Sequence, residues 1–256
     1  MSLHACSVSY SIGGHCLLER FELEIEIGEI VMLVGNNGAG KSTALNLLAG
    51  CPQPSTGEVM LESRPLTEWA AGELAARRAM LPQSSSLAFD FTAAEVVALG
   101  APSRALRATA FKQHVHDAME RMDVAQFADR GYFSLSGGER QRVHLARVFL
   151  QISLVPSVPR YLLLDEPLVS LDLAHQYAVL DQLRRLAAVD VGIVFVTHDL
   201  NIARRYASRV CLLKAGRCYA QGAAADIITA TNIRAVFGVE ALVARDDTVV
   251  TRPLEV

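Results

Sequence analysis

The stretch EIVMLVGNNGAGKSTALNLLAG, Glu29 to Gly50, leaves this chain little conformational choice. Glu29 to Gly35 is a short, β-rich apolar run ending in glycine, the pattern of a buried strand that feeds a loop. Gly35, Gly40, Lys41 and Ser42 then fall at the Gly-x4-Gly-Lys-Ser spacing of a phosphate-binding loop. STALNLLAG continues as a helix closed by Gly50. Glycines let the backbone curl until successive N–H groups point at one phosphate. The cradle runs from Gly35 through Asn36, Asn37, Gly38, Ala39, Gly40, Lys41 and Ser42 to Thr43; Lys41 reaches the β- and γ-phosphates as a point charge and the Ser42 hydroxyl offers a ligand to Mg²⁺. The loop implies a nucleoside triphosphate. The Asn-Lys-x-Asp motif that reads guanine is absent, which disfavours a GTPase.

The rest of the chain supplies the frame. FELEIEI, Phe21 to Ile27, alternates apolar residues with Glu and predicts a strand with one wet face. RYLLLDE (Arg160–Glu166) and VGIVFVTHD (Val191–Asp199) are two more buried-strand patterns, separated by helical ones. Buried strands separated by helices imply a parallel sheet covered on both faces. The expectation is therefore an α/β fold: a nucleotide-binding core with a mainly parallel sheet, an N-terminal antiparallel β part, and an inserted helical subdomain. The core takes about residues 1–83 and 158–256 of a single domain, and the helical insertion about 84–157, with Pro156 and Pro159 marking the return to the sheet. After Gly222 the pattern gives short helices and a late strand.

Composition narrows the classes. A chain of 256 residues buries enough surface to need no staples, and five cysteines match no zinc spacing, so free thiols in a reducing compartment are expected. The net charge of −3 argues against nucleic acid as a partner. The N-terminal residues lack a basic region followed by an apolar core, and no uncharged apolar run reaches the roughly 18–20 residues that span a bilayer. If the chain works at a membrane, another chain supplies the membrane.

Three further places carry chemistry. Asp165 and Glu166 end a buried strand, where ligands of α/β sheets sit. Asp165 is placed to hold Mg²⁺ through water, and Glu166 to poise a water for in-line attack on the γ-phosphate. His198 ends another such strand and faces the γ-phosphate. Gln83, in MLPQSSS, has an amide that reaches the metal or the attacking water. In YFSLSGGERQRVHLARV, Ser136, Gly137 and Gly138 open a second predicted helix, a second place suited to an anion.

The phosphate loop, Gln83, LSGGERQ, LLLDEP, SLD (Ser170–Asp172) and His198 follow one another as in the ATP-binding cassette ATPases, which this chain resembles over essentially its whole length. The resemblance implies a P-loop NTPase core, ATP with Mg²⁺ as the bound groups, and Ser42, Gln83 and Asp165 about the metal. It also implies a homodimer, two copies head to tail, each ATP lying between one chain's phosphate loop and the other's signature. Ser136, Gly137, Gly138 and Glu139 would then hold the partner's ATP, which explains the second cradle. Asp172 would lie at the dimer seam, and Tyr10, in VSYSIGG, would stack on adenine. EPLVSLD departs from the commoner Thr-Ser-Ala or Thr-Asn, and Asn36 stands where proline is frequent.

Within such ATPases three classes compete. DNA-repair and chromosome-organising members carry a long coiled coil between the two cradles, and this chain has none. Translation-factor members usually hold two cassettes, and this chain has one. A transport motor remains, with two separate transmembrane permease subunits and, indirectly, a periplasmic substrate-binding protein. RRAMLPQSSSLAFDFTAAEVVALG (Arg77–Gly100) and YLLLDEPLVSLDLAHQYAVLDQLRRLA resemble the ATPases of bacterial haem (hemin) importers, within the wider haem, siderophore and vitamin B12 group. That resemblance implies a place on the cytoplasmic face of the inner membrane, peripheral through the permease. No direct cargo binding is expected: His114 and His116 are two apart in a predicted helix and cannot share a face. His175 and the cysteines take the same plain reading.

Overall fold

Strand patterning decides where each unit of this protein keeps its core. The computed structural model describes residues 1–83, 87, 89–101, 108–154, 159–244 and 247–254. The expected lobe boundaries at 84 and 157, with Pro156, lie outside the described residues. In chain order the elements are β1 (Ser2–Ile12), β2 (His15–Glu26), β3 (Ile30–Gly35), α1 (Lys41–Leu48), β4 (Thr56–Leu61), β5 (Arg64–Pro65), α2 (Ala71–Arg77), β6 (Arg78–Leu81), α3 (Ala93–Ala98), α4 (Ala108–Arg121) and α5 (Gly137–Ser153). They continue with β7 (Arg160–Asp165), α6 (Leu173–Ala187), β8 (Val191–Thr197), α7 (Leu200–Tyr206), β9 (Arg209–Lys214), β10 (Arg217–Ala223), α8 (Ala224–Ile227), α9 (Ala230–Phe237), β11 (Val239–Val243) and β12 (Val249–Pro253). Two compact units result, Met1–Glu68 with Gly192–Val256, and Trp69–Val191.

In the first unit, β2, β1, β4 and β5 form an antiparallel sheet in that order. Along β2 the apolar positions Leu18, Phe21, Leu23 and Ile25 are buried while Glu22, Glu24 and Glu26 are exposed, so the alternation of FELEIEI maps onto a dry and a wet face. Each such apolar side chain taken from water contributes roughly 1.5–3 kcal/mol. A second layer has β3 between β8 and β9, parallel to both, with β10 antiparallel beside β9. Every residue of β3 and β8 is buried, as expected of strands covered on both faces. The C-terminal stretch holds not one late strand but two, β11 and β12, paired antiparallel; neither is apolar enough along its whole length to stand out from the helices before it.

In the second unit β6 and β7 pair in parallel, and among the described residues between them the regular elements are helical. Thr92 opens α3 with a reciprocal cap: its Oγ1 accepts from the Glu95 N–H at 3.2 Å, and its own N–H donates to Glu95 Oε2 at 2.8 Å. His114 and His116 are each exposed on α4, and His116 meets Glu120 at 3.4 Å.

Candidate functional site: two phosphate cradles and an acidic strand end

The phosphate loop is shaped by close backbone approaches. A Cβ on Gly35 would lie 2.3 Å from the Leu213 carbonyl oxygen, and one on Gly40 2.9 Å from that of Leu17. The β9–β10 turn clamps the loop as well, the Gly216 N–H donating to the Ala39 carbonyl at 3.1 Å. Gly38 differs: its φ is +76° and nothing stands within 4 Å of where a Cβ would be. The exposed segment Asn36–Gly38 therefore borders open space, and Asn36 is tied down behind it, its amide donating to the Val236 carbonyl at 2.9 Å. Lys41 is only 6% exposed, and its Nζ donates to the carbonyls of Gly35 (2.8 Å) and Asn36 (2.9 Å). Ser42 and Thr43 follow, half-buried in the first turn of α1. No side chain caps α1 and its first turn holds no acidic residue, so its leading N–H groups and positive end meet the loop uncompensated. Open space, a buried lysine and an uncapped helix start fit the triphosphate of a nucleotide.

Strand register sets what stands beside this loop. Val34 of β3 is opposite Thr197 of β8, so Gly35 and His198 leave adjacent parallel strands at the same carboxyl end. His198 is exposed there, and the turn beyond it is fixed by Asp199, whose Oδ1 caps α7 through the N–H groups of Asn201 (2.8 Å) and Ile202 (3.0 Å). Tyr10 lies half-buried on β1, opposite Leu18.

The second unit repeats the logic. Leu81 of β6 is opposite Leu164 of β7, so the chain leaves both strands at one end, bringing Gln83, Asp165 and Glu166 to the same edge. Asp165 is 3% exposed, Glu166 half-buried and Gln83 exposed. Glu166 has φ +48°, in the left-handed region that non-glycine residues enter at a cost.

The signature opens α5 with a capping box that its Ser-x-x-Glu spacing encodes, although the helix start had been legible only as an anion site. The Ser136 N–H donates to Glu139 Oε2 at 2.7 Å and Ser136 Oγ accepts the Glu139 N–H at 3.3 Å. The Ser136 N–H holds the Glu139 carboxyl below the usual carboxylate range. Ser136 and Gly137 are exposed, whereas Gly138 packs so closely that a Cβ would lie 2.8 Å from the Ser170 carbonyl.

Asp172 caps α6, its Oδ1 accepting the His175 N–H at 2.9 Å. His175, expected to be solvated, is instead drawn in: Nδ1 meets Asp172 Oδ1 at 2.8 Å and Nε2 meets Asp123 Oδ2 at 3.2 Å. Arg142 of α5 joins the same group through Asp123 Oδ2 at 3.1 Å and lies against His175 Nε2. The spacing Asp-x-x-His was a local hint of the first contact, but nothing local pointed to Asp123 or Arg142. A buried pair also went unseen: the Tyr132 hydroxyl and His144 Nε2 are 2.8 Å apart, and burial pushes His144 down from 6.5 to about 4.

Tyr10, the phosphate loop and His198 thus belong to the first unit, and Gln83, the signature, Asp165, Glu166 and Asp172 to the second. Comparison with known proteins agrees with these motifs. Residues 18–169 match the family model described as ABC transporter. The hemin import ATP-binding protein HmuV of Gloeobacter violaceus is 45% identical over 95% of this chain and 90% of its own length. That of Hahella chejuensis is 43% identical over 93% of both. Among solved structures, a dimeric post-hydrolysis state of the ATP-binding cassette MJ0796 bound to ADP and Pi superposes with a TM-score of 0.75 at 26% identity, covering 88% of this chain and 99% of that one. The chain belongs to the ABC transporter family, as one of its nucleotide-binding, ATP-hydrolysing subunits.

Proposed function

We propose that this chain is the motor of a bacterial haem importer, coupling ATP binding and hydrolysis in a head-to-tail homodimer to haem movement through two separate permease subunits. The observation that carries the cargo is identity of 43–45% over nearly the whole chain to relatives that bear the name hemin import ATP-binding protein. The motor is held by the permease on the cytoplasmic face of the inner membrane, and a periplasmic binding protein delivers the cargo. No helix among the described residues is long and apolar enough to cross a membrane. The nucleotide-binding core takes about residues 1–83 and 158–256 and the helical subdomain about 84–157.

In this reading Tyr10 stacks on adenine and the Gly35–Thr43 backbone cradles the phosphates. Lys41 exchanges its two carbonyl partners for the β- and γ-phosphates. Ser42, Gln83 and, through water, Asp165 hold Mg²⁺, which shields the phosphate charge. Among the described residues no three His, Cys, Asp or Glu side chains gather into a metal cage; a Mg²⁺ ion held largely by phosphate and water needs none. The Glu166 carboxylate orients the attacking water and takes its proton, and His198 donates to the γ-phosphate.

The signature, Ser136 to Glu139, faces the partner's ATP. Because Ser136 Oγ accepts within its own cap, its O–H remains to donate outward. Exposed apolar groups around Asp172 support a partner-covered seam: Val169 is 50%, Leu173 70% and Tyr177 54% exposed. Exposed Phe89, Leu99 and Phe133 of the helical region support a contact with the permease.

The test is ATP-driven uptake into proteoliposomes that hold this chain and its permease, with haem, a ferric siderophore and cobalamin each offered with its binding protein. Haem uptake alone is expected, and Glu166→Gln should abolish it, with turnover lowered on the order of 10²–10⁴-fold. Uptake of either other cargo would overturn the haem assignment and keep the motor.

A further inference from the structure

The loop from Glu166 to Asp172 joins β7 to α6 and is held in an unfavourable shape. Glu166 (φ +48°) and Ser170 (φ +68°) both lie in the left-handed region, a state that persists only where the surroundings over-determine it. The fastenings come from α5 and α6. Gln141 Nε2 donates to the Pro167 carbonyl at 3.0 Å, Gln176 Nε2 donates to the Leu171 carbonyl at 3.0 Å, and Gly138 packs on the Ser170 carbonyl. His175 completes the set. Its backbone N–H already serves Asp172 as a helix cap, so the cap does not require the ring. The ring nevertheless turns Nδ1 to Asp172 and Nε2 to Asp123, beside Arg142, which is 8% exposed on α5. The His175 backbone N–H first, and then its ring, hold the Asp172 carboxyl below the usual carboxylate range, and contact with the ring lowers that of Asp123.

We infer that His175 is a positioning residue for ATP hydrolysis: its ring pins Asp172 to the Arg142–Asp123 pair, so that the signature helix and the loop bearing Glu166 are held as one block. The inference rests on the reading above, in which Asp172 and the signature face the partner subunit. A misplacement of about 1 Å in such a site is enough to cost on the order of a hundredfold in rate.

The experiment compares ATP turnover of the full chain with its permease in lipid nanodiscs for wild type, His175→Ala, His175→Asn, His175→Gln, Asp172→Ala and the double variant His175→Ala with Asp172→Ala. Asn places an amide N–H near the position of Nδ1, and Gln one near that of Nε2, so each keeps one end of the pin. For His175→Ala, kcat should fall about tenfold or more while KM for ATP stays within about twofold and the melting temperature holds. Asn and Gln should each restore kcat in part, and His175→Ala should change nothing further once Asp172 is gone. Wild-type kcat in His175→Ala, full additivity with Asp172→Ala, full rescue by Asn alone, or a parallel loss of kcat, KM and melting temperature would each overturn the pin. Wild-type turnover in Asp172→Ala would overturn the reading of Asp172 at the seam as well, whereas impaired Asp172→Ala beside normal His175→Ala overturns the pin alone.

Discussion

Gly35 and Gly38 stand three residues apart in one loop and are glycine for different reasons. At Gly35 the obstacle is packing, since a methyl group would overlap the Leu213 carbonyl at 2.3 Å. At Gly38 space is open and only the positive φ of +76° opposes a side chain. Gly35→Ala should therefore force β3 and β9 apart, costing about 1–3 kcal/mol of stability and most nucleotide binding. Gly38→Ala should cost about 1–2 kcal/mol and weaken nucleotide binding by narrowing the open side of the cradle. Urea denaturation with titration of a fluorescent ATP analogue checks the two: wild-type stability in either variant, or nucleotide binding lost more deeply in Gly38→Ala than in Gly35→Ala, would contradict this assignment. The need for glycine at Gly35 was readable from spacing, whereas Gly38 occupies an unspecified position of that pattern and only its φ shows the need. The reason at Gly35 was not, because Leu213 lies far along the chain.

At the scale of elements, α5 does two jobs. Its first turn presents the signature, and its next turns are buried, carrying His144 against the Tyr132 hydroxyl at 2.8 Å. With His144 held at about 4 when folded against 6.5 when unfolded, the unfolded chain binds more protons between those values. This group's contribution is thus intact above pH 6.5 and is lost as pH falls toward 4. Each pH unit in that window is worth about 1.4 kcal/mol, so the loss approaches the order of 3 kcal/mol. Thermal melts at pH 7 and pH 5 should show a fall in wild type and a distinctly smaller one in His144→Gln. An equal fall would assign the acid sensitivity elsewhere. Sequence spacing made α5 legible as a helix and its start as an anion site. It did not reveal the buried histidine, because the amphipathic pattern counts His as polar and cannot see the tyrosine folded over it.

For the whole molecule the decisive claim is that two copies complete each other. Lys41→Ala removes the charge in one cradle, and Ser136→Arg fills the other. Mixed together, the two variants should form heterodimers with one site spoiled twice and one intact. Nucleotide trapping should therefore return in the mixture to at most about half of the wild-type level, though neither variant traps alone. No recovery in verified heterodimers would sink the trans arrangement.

Local pattern by itself determined the phosphate loop, the acidic strand end, the alternating and buried strands and the start of the signature helix, because each is a short-range arrangement of residue types. The same pattern announced the family. Tertiary structure alone decided that Asp123, Arg142, Asp172 and His175 converge, that the Leu213 carbonyl closes on Gly35, and that the C-terminal stretch pairs two strands. The contacts of Leu213 with Gly35 and of Asp123 with His175 and Arg142 join segments remote in sequence. They depend on strand register and on helix faces meeting, and neither is written in the spacing of any one segment.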